Sequence, residues 1–337
     1  MADRVLLTGI SGFLGGHVAL QLLAAGYEVV GSVRSLDKAN KVRATLTKAG
    51  ADISRLNFVT LDLLDDAGWD AVMDGVKFVQ HTASPFVLQT PKDPNELIRP
   101  AVEGTRRAIE AALRANVERV VLTSSIAAIQ YGHANYSRVL TEADWSNPDS
   151  PTTGAYPKSK TLAEREAWRL MDAAGRHGDL AVINPAAILG PLLDEDPGTS
   201  SMLVSRLIDG KLPAVPKLVM SVVDVRDVAA LQVDAMTNPD AGGQRCIASV
   251  QTLSMAELGQ LLQPNFPDRR IPRSEIPNFL VRLAALFDAD VRNNMHELGA
   301  AKRLDGTRGA QRLGRPLIGA GEAATATARS LIEHHLV

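Results

Sequence analysis

Thr8-Gly9-Ile10-Ser11-Gly12-Phe13-Leu14-Gly15 follows the apolar run Arg4–Thr8 and opens a segment of helical period, Leu14–Ala25, that stops at Gly26. Glycine is needed where a chain turns sharply from strand to helix, and where a backbone must approach a pyrophosphate. The helix that follows offers unpaired N–H groups and the positive end of its dipole to such an anion. Glycines at this spacing also occur in plain turns. A strand directly before and a helix directly after favour a dinucleotide site. Thr8, Gly9, Ser11, Gly12, Phe13, Leu14 and Gly15 are therefore the first candidate cofactor contacts.

Outward from this loop, short apolar runs alternate with helical segments. Glu28–Arg34, Leu56–Asp62, Lys77–Ala83, Arg119–Ser125 and Asp179–Pro185 read as strands, and Asp37–Lys48, Pro94–Asn116 and Gly154–Ala174 as helices. The strands are apolar throughout rather than alternating, as in a parallel sheet covered on both faces. This predicts an α/β fold, a Rossmann-type doubly wound parallel sheet with right-handed crossovers. After Pro185 proline and glycine become frequent. A strand and helix at Leu218–Met236 are expected to return to the main sheet, followed by a strand at Gln244–Val250 and helices at Met255–Leu262 and Asn278–Leu298. The predicted division is a cofactor domain, 1–185 plus about 218–238, and a smaller, discontinuous C-terminal substrate lobe, about 186–217 and 239–337.

Bulk properties narrow the function. Lysine plus arginine number 36 against 38 aspartate plus glutamate, a formal charge of -2 that gives no reason to expect nucleic acid or an anionic membrane as partner. The single cysteine, Cys246, allows no internal disulfide and fits a reducing cytoplasm. No signal peptide is read, and no apolar run reaches the roughly 18 residues of a membrane span. The seven histidines show no metal spacing, so no metal is expected. His334 and His335 read as a solvated tail, and Cys246, Trp69, Trp145 and Trp168 as packing residues.

The end of the second strand separates the two nicotinamide cofactors. A site for NAD places an acid there for the ribose 2′-hydroxyl, and a site for NADP a base for the 2′-phosphate. Here Val33-Arg34-Ser35 ends the strand, with Lys38 and Lys41 following, so NADP(H) is expected. Asp37 is expected to cap the second helix rather than to serve as that acid.

The second motif is Tyr156-Pro157-Lys158-Ser159-Lys160. Residues four apart share one helix face, so phenol and ammonium point the same way. A free phenol, with a pKa near 10, is a poor acid–base group at neutral pH. A nearby cation is expected to lower it, so that Tyr156 exchanges a proton with a carbonyl or alcohol oxygen. Pro157 fits only a first turn, with Thr152 or Thr153 expected as the cap. Ser125, at the carboxyl end of the fifth strand, is placed to hold the substrate oxygen. Ser124 beside it is expected to be a turn residue.

Taken together, T8-G-I-S-G-F-L-G15, V33-R34, L61-D62-L63, H81-T-A-S-P85, A101-V-E-G-T105, L122-T-S-S125, Y156-P-K-S-K160, N184-P185 and V223-D-V-R-D-V228 resemble the extended short-chain dehydrogenases/reductases across nearly the full length. Within them the chain is similar to the branch of dihydroflavonol, cinnamoyl-CoA and methylglyoxal reductases. The resemblance implies that Arg34 and Lys38 hold the 2′-phosphate, Asp62 and Leu63 the adenine, and Thr82, Ala83 and Ser84 the middle of the cofactor. It also implies that Tyr156 and Lys160 bind the nicotinamide ribose, and Pro185 to Ile188 the nicotinamide face.

The expected activity is NADPH-dependent reduction of an aldehyde or ketone. Two other readings are a nucleotide-sugar epimerase or dehydratase of the same superfamily and a non-enzymatic NADP sensor. Such sugar enzymes usually carry an acid after the second strand, which this chain lacks, and a sensor needs no Ser125/Tyr156/Lys160 set. Substrate contacts are expected from Phe86, Ile126 and Tyr131, with further walls from Ile188, Leu189, Leu192 and Met202. These residues are mostly apolar and include no arginine, which points to a medium-sized hydrophobic aldehyde or ketone, aromatic ones included, as the small-molecule carbonyl/alcohol partner. Either a monomer or a homodimer is compatible with the sequence.

Overall fold

The computed structural model describes residues 2–84, 93–287 and 295–337. Strand β1 (Arg4–Thr8) lies inside a seven-stranded sheet, next to its central strand. It pairs in parallel with β2 (Glu28–Val33) and β4 (Val76–His81). β3 (Leu56–Thr60) lies outside β2. β5 (Arg119–Thr123), β6 (Leu180–Pro185) and β9 (Gln244–Ala248) follow β4, giving the order β3-β2-β1-β4-β5-β6-β9 with every pairing parallel. The order reverses between β1 and β4, and the crevice at the carboxyl ends there is where such sheets bind ligands.

Alternate residues of each strand enter opposite layers. Val5 and Leu7 join Val18 and Leu22 of α1 (Phe13–Ala24), Val42 and Leu46 of α2 (Asp37–Lys48), and Val228 and Leu231 of α7 (Val225–Thr237). Leu6 joins Trp69 of the short α3 (Trp69–Val72), Ala108 and Ile109 of α4 (Asn95–Arg114), and Ala167 and Met171 of α5 (Ala155–Ala173). Alanines on the facing sides of α4 and α5 let these two helices approach closely. Truncating a central side chain such as Leu7, fully buried, would cost about 2–5 kcal/mol.

A second sheet of three strands, β10-β8-β7, forms from β7 (Ala187–Leu189), β8 (Val219–Asp224) and β10 (Gln251–Ser254). It shares a third core with α6 (Gly198–Ile208), α8 (Met255–Leu262) and α11 (Ala320–Glu333). Ser254 and Glu257 cap α8 reciprocally.

The strand expected at Leu218–Met236 to rejoin the main sheet does not do so. β8 is held in the second sheet, antiparallel to β10 and parallel to β7. The last place in the main sheet goes to β9, where Ile183 faces Cys246. Of the helix expected at Asn278–Leu298, α9 covers Asn278–Ala284, and a single 3-10 turn spans Met295–Glu297. α10 (Thr307–Leu313) packs over α7 and β9.

Candidate active site

The glycine loop divides its glycines between packing and access. Gly9 has φ 75°, and a Cβ there would lie 2.8 Å from the Ala83 nitrogen. At Gly15 a Cβ would lie 2.1 Å from the Gly9 carbonyl oxygen, so the turn itself excludes any side chain. A Cβ on Gly12 would meet only the Gly9 oxygen, at 3.5 Å. The protein does not need glycine there for its own packing. Gly12 faces the crevice and is the N-cap of α1, with no side-chain cap. It leaves a cradle that a Cβ would fill, beside a helix N-terminus open to an anion.

The crevice is a cleft of about 650 Å³, the size of a ligand site. Of the expected cofactor contacts, Thr8, Gly9, Ser11, Gly12, Arg34, Lys38, Asp62, Leu63, Thr82, Ala83 and Ser84 line it. Phe13 lines a smaller adjoining hollow and packs edge-on against His17. Leu14 and Ile188 pack on the core, and Pro185 closes β6 as a buried residue. Lys41 also lines the cleft, as do Asp194 and Asp196 from the loop before α6, two acids not anticipated from sequence. Lys41 pairs with Asp194 at 3.1 Å. Asp37 is the first residue of α2 rather than its cap, which is Leu36, so its charge complements the first turn. Asp62 folds an Asx turn, accepting from the Leu64 N–H at 2.9 Å.

Ser125, Tyr156 and Lys160 stand beside the cleft rather than in its lining: Lys160 borders a small hollow with Ala83 and Ser84, which also line the cleft. Ser125 is extended and caps the 3-10 turn Ile126–Ala128, its Oγ accepting from the Ala127 N–H at 3.1 Å. The same hydroxyl hydrogen-bonds with Tyr156. Gly154 is the N-cap of α5. Thr153 therefore does not cap the helix: its hydroxyl donates to the Asn147 carbonyl at 2.8 Å, and Thr152 sits in the preceding turn. Tyr156 is in the first turn, where Pro157 leaves no hydrogen bond unmade. Lys160, one turn further, is buried.

Burial pushes the Tyr156 hydroxyl above the ordinary phenol range, and its bond with Ser125 draws it part of the way back. The expected lowering by Lys160 is not seen: burial sets the direction, and Ser125 is the group that opposes it. Burial pulls Lys160 down to about 8, with Glu164 acting against the fall. His81 is pulled down to about 4 by burial and by the Lys160 charge, and its Nδ1 lies 2.9 Å from the Thr8 hydroxyl.

Ser124 is more than a turn residue. Its hydroxyl donates to Glu164 Oε2 at 2.5 Å. Glu164 also accepts from Asn184 Nδ2 at 2.8 Å and Arg245 Nε at 2.6 Å. Neither Glu164 nor Arg245 was singled out from sequence. The available signal was an acid on the buried face of α5, two turns from Tyr156 and one from Lys160.

Of the expected substrate contacts, Phe86 lies outside the described residues. Ile126 is buried and packs on the main core. Tyr131 has Lys302 Nζ 3.9 Å above its ring centre, and burial pushes its hydroxyl up. Lys302 is itself paired with Glu297, at 2.6 and 2.5 Å to its two oxygens. A charged pair from the C-terminal lobe thus covers a wall that was expected to be apolar. Leu189 and Leu192 are buried in the third core, and Met202 is exposed. Cys246 is buried with its thiol pushed up to about 12, as a core residue. Trp69 is buried, and Trp145 lies under Arg245.

Residues 5–249 match the model of the NAD dependent epimerase/dehydratase family. An oxidoreductase of Schizosaccharomyces pombe is 36% identical over 284 residues, 79% of this chain and 83% of its own. Cinnamoyl-CoA reductase 1 of Petunia hybrida is 34% identical over 271 residues, 80% of this chain and 79% of its own. The crystal structure of the yeast methylglyoxal/isovaleraldehyde reductase Gre2 complexed with NADPH superposes with TM-score 0.82 at 26% identity, covering 98% of this chain and 99% of that one.

Proposed function

The chain belongs to the NAD dependent epimerase/dehydratase family, the extended short-chain dehydrogenases/reductases, and within it we propose an NADPH-dependent reductase of aldehydes or ketones. The observation that carries this reading is the Ser125–Tyr156–Lys160 set beside a cleft that bears Arg34, Lys38 and Lys41: Lys160 borders a small hollow with Ala83 and Ser84, which also line the cleft, so the set forms the inner end of the site and the basic cleft its outer end. The basic outer end suits the 2′-phosphate, where the sugar-modifying relatives would place an acid. The cradle at Gly12 and the α1 N-terminus suit the pyrophosphate, and Asp62 and Leu63, in the lining of the same cleft, are the residues we assign to the adenine.

NADPH, when bound, supplies the hydride. The chain's own residues do the rest. The Ser125 and Tyr156 hydroxyls converge, so both can hold one carbonyl oxygen. Burial keeps Tyr156 protonated, so it enters reduction as the acid and gives its proton to the developing alkoxide. Lys160, one turn away, stabilises the phenolate left behind.

The substrate is a neutral, medium-sized hydrophobic carbonyl compound. Lys302, which lies over the Tyr131 ring, is already matched by Glu297, so this pair offers no net charge to a phosphate or carboxylate. The test is NADPH oxidation, followed by absorbance, with aryl and alkyl aldehydes and ketones against a nucleotide sugar and an acyl-CoA. Turnover of simple carbonyls is expected to lead. A clear advantage for either charged substrate overturns the substrate class, and no NADPH oxidation with any of them overturns the reductase.

A further inference from the structure

Behind the reacting hydroxyls lies a buried carboxylate that the proposed chemistry does not use. Glu164 is fully buried. Its Oε2 accepts from Ser124 and Asn184, and its Oε1 from Arg245 and, at 3.4 Å, from Trp168 Nε1. Asn184 Nδ2 also donates to the Ser125 carbonyl at 3.2 Å. One carboxylate therefore joins the carboxyl ends of β5 and β6 to β9 and α5, and holds Ser125 through its backbone neighbour and through its own carbonyl. Arg245 is fixed as well. It donates to the carbonyls of Glu142 and Asp144 at 2.7 and 2.6 Å, and its guanidinium lies 3.9 Å over Trp145.

We infer that Glu164 is a positioning residue of the reaction: its carboxylate, shared between Arg245 and Lys160, both locates Ser125 and keeps Lys160 charged. The geometry gives each partner a sign. Lys160 stands one turn before Glu164 on the same face, with Tyr156 a turn before that. From β4 His81 faces Lys160 and is held neutral by burial and by that charge, so it adds no second cation there. From β9 Arg245 reaches Glu164 from the other side. Glu164 thus has two cations to serve. Removing the acid leaves Lys160 and Arg245 buried without a counter-charge, whereas removing Arg245 leaves the acid to Lys160 alone.

This inference rests on the reductase reading with Tyr156 as acid, and opposite signs make it testable. The measurement is the alkaline limb of kcat/KM for NADPH-dependent reduction, with the thermal midpoint followed in parallel. Glu164→Gln is expected to move that limb down by about one pH unit, and Arg245→Gln to move it up by a similar amount. The double variant Glu164→Gln/Arg245→Gln removes the buried pair as a pair. It is expected to recover most of the midpoint lost in either single variant while keeping the limb below that of the wild type. A merely structural role would change midpoints and overall rates but leave the limb in place. An unmoved limb in the double variant, or shifts of the same sign in the two single variants, overturns the inference. Should neither variant carrying the Glu164 change fold, the Arg245→Gln arm decides: an upward shift supports the inference, and an unmoved or lowered limb overturns it. If instead Tyr156→Phe retained turnover, the assignment of Tyr156 as the acid would fall, and if no carbonyl compound drew NADPH oxidation the reductase reading itself would fall.

Discussion

The two ends of the site, the open cleft and the buried cluster beside it, hold charge by different physics. At the outer end Arg34, Lys38 and Lys41 stand at the surface, and the Lys41 side chain is 59% exposed even when paired with Asp194. At the inner end Ser125, Lys160, Glu164 and Arg245 are all buried, and Glu164 gathers hydrogen bonds from Ser124, Asn184 and Arg245. Surface charges act nearly independently and are screened by salt. Buried ones are coupled, and removing one partner exposes the cost of the rest. Recognition at one end can therefore be tuned residue by residue, while chemistry at the other changes as a unit.

The largest expected effect is at the inner end. Tyr156→Phe keeps the ring and removes the acid, so turnover should fall about 10²–10⁴-fold. NADPH binding, read by fluorescence quenching, should hardly change. A Phe variant with more than about a tenth of the wild-type rate would remove Tyr156 from the acid role. Stability should show the same contrast. His81 is held neutral at about 4 when folded, against 6.5 in the open chain. Its contribution is complete above pH 6.5 and is lost as pH falls toward 4, a change on the order of 2–3 kcal/mol by linkage. His81→Gln should flatten the difference in unfolding free energy between pH 7 and pH 5 in urea titrations. An unchanged slope against pH would show that His81 is not the group responsible.

The contrast also marks what could be read in the sequence. The outer end is local: Gly9, Gly12 and Gly15 lie within one turn, Arg34 ends the next strand, and all face the cleft or its floor. Tyr156 and Lys160 are equally local, four apart on one helix. Glu164, Asn184 and Arg245 are legible only once the strand order brings the ends of β5, β6 and β9 side by side. The misplacement of β8 has the same origin. Leu218–Val223 and Arg245–Ala248 are both short apolar runs, and periodicity cannot say which joins the main sheet. The antiparallel partner β10 decides it, by a pairing made outside either run. Lys302 and Glu297 reach Tyr131 from the end of the expected helix Asn278–Leu298 and the stretch after it, and periodicity along one segment says nothing of a contact made so far away in the chain.

A smaller effect is expected for Arg34→Ala. A charge-assisted hydrogen bond contributes about 1.5–3 kcal/mol, so the Michaelis constant for NADPH should rise by roughly ten- to a hundredfold. That for NADH, which lacks the 2′-phosphate, should move little. Equal losses with both cofactors would mean that Arg34 holds the fold of the β2–α2 turn rather than the phosphate.

The smallest effect belongs to Asp194, and it asks whether the outer end is as loosely coupled as its exposure implies. Asp194 lines the same cleft as Arg34 and Lys38 and holds Lys41 at 3.1 Å, with its own side chain 26% exposed. A carboxylate in that position does two things to an incoming 2′-phosphate. It occupies a cation that could otherwise turn toward the phosphate, and it adds a like charge nearby. Both oppose NADPH, and both are weak, because an exposed pair contributes about 0–1 kcal/mol and is screened over about 10 Å at 0.1 M salt. Asp194→Asn should therefore tighten NADPH by only a few-fold at low ionic strength, leave NADH nearly unchanged, and lose its advantage as salt is raised. The thermal midpoint should stay close to that of the wild type, since neither partner is buried. Isothermal titration of both cofactors at two salt concentrations gives the comparison directly. A tightening that persists at high salt, or that appears equally with NADH, would mean that the loop carrying Asp194 acts by closing over the cofactor as a body, and the outer end would then be coupled in the way the inner end is.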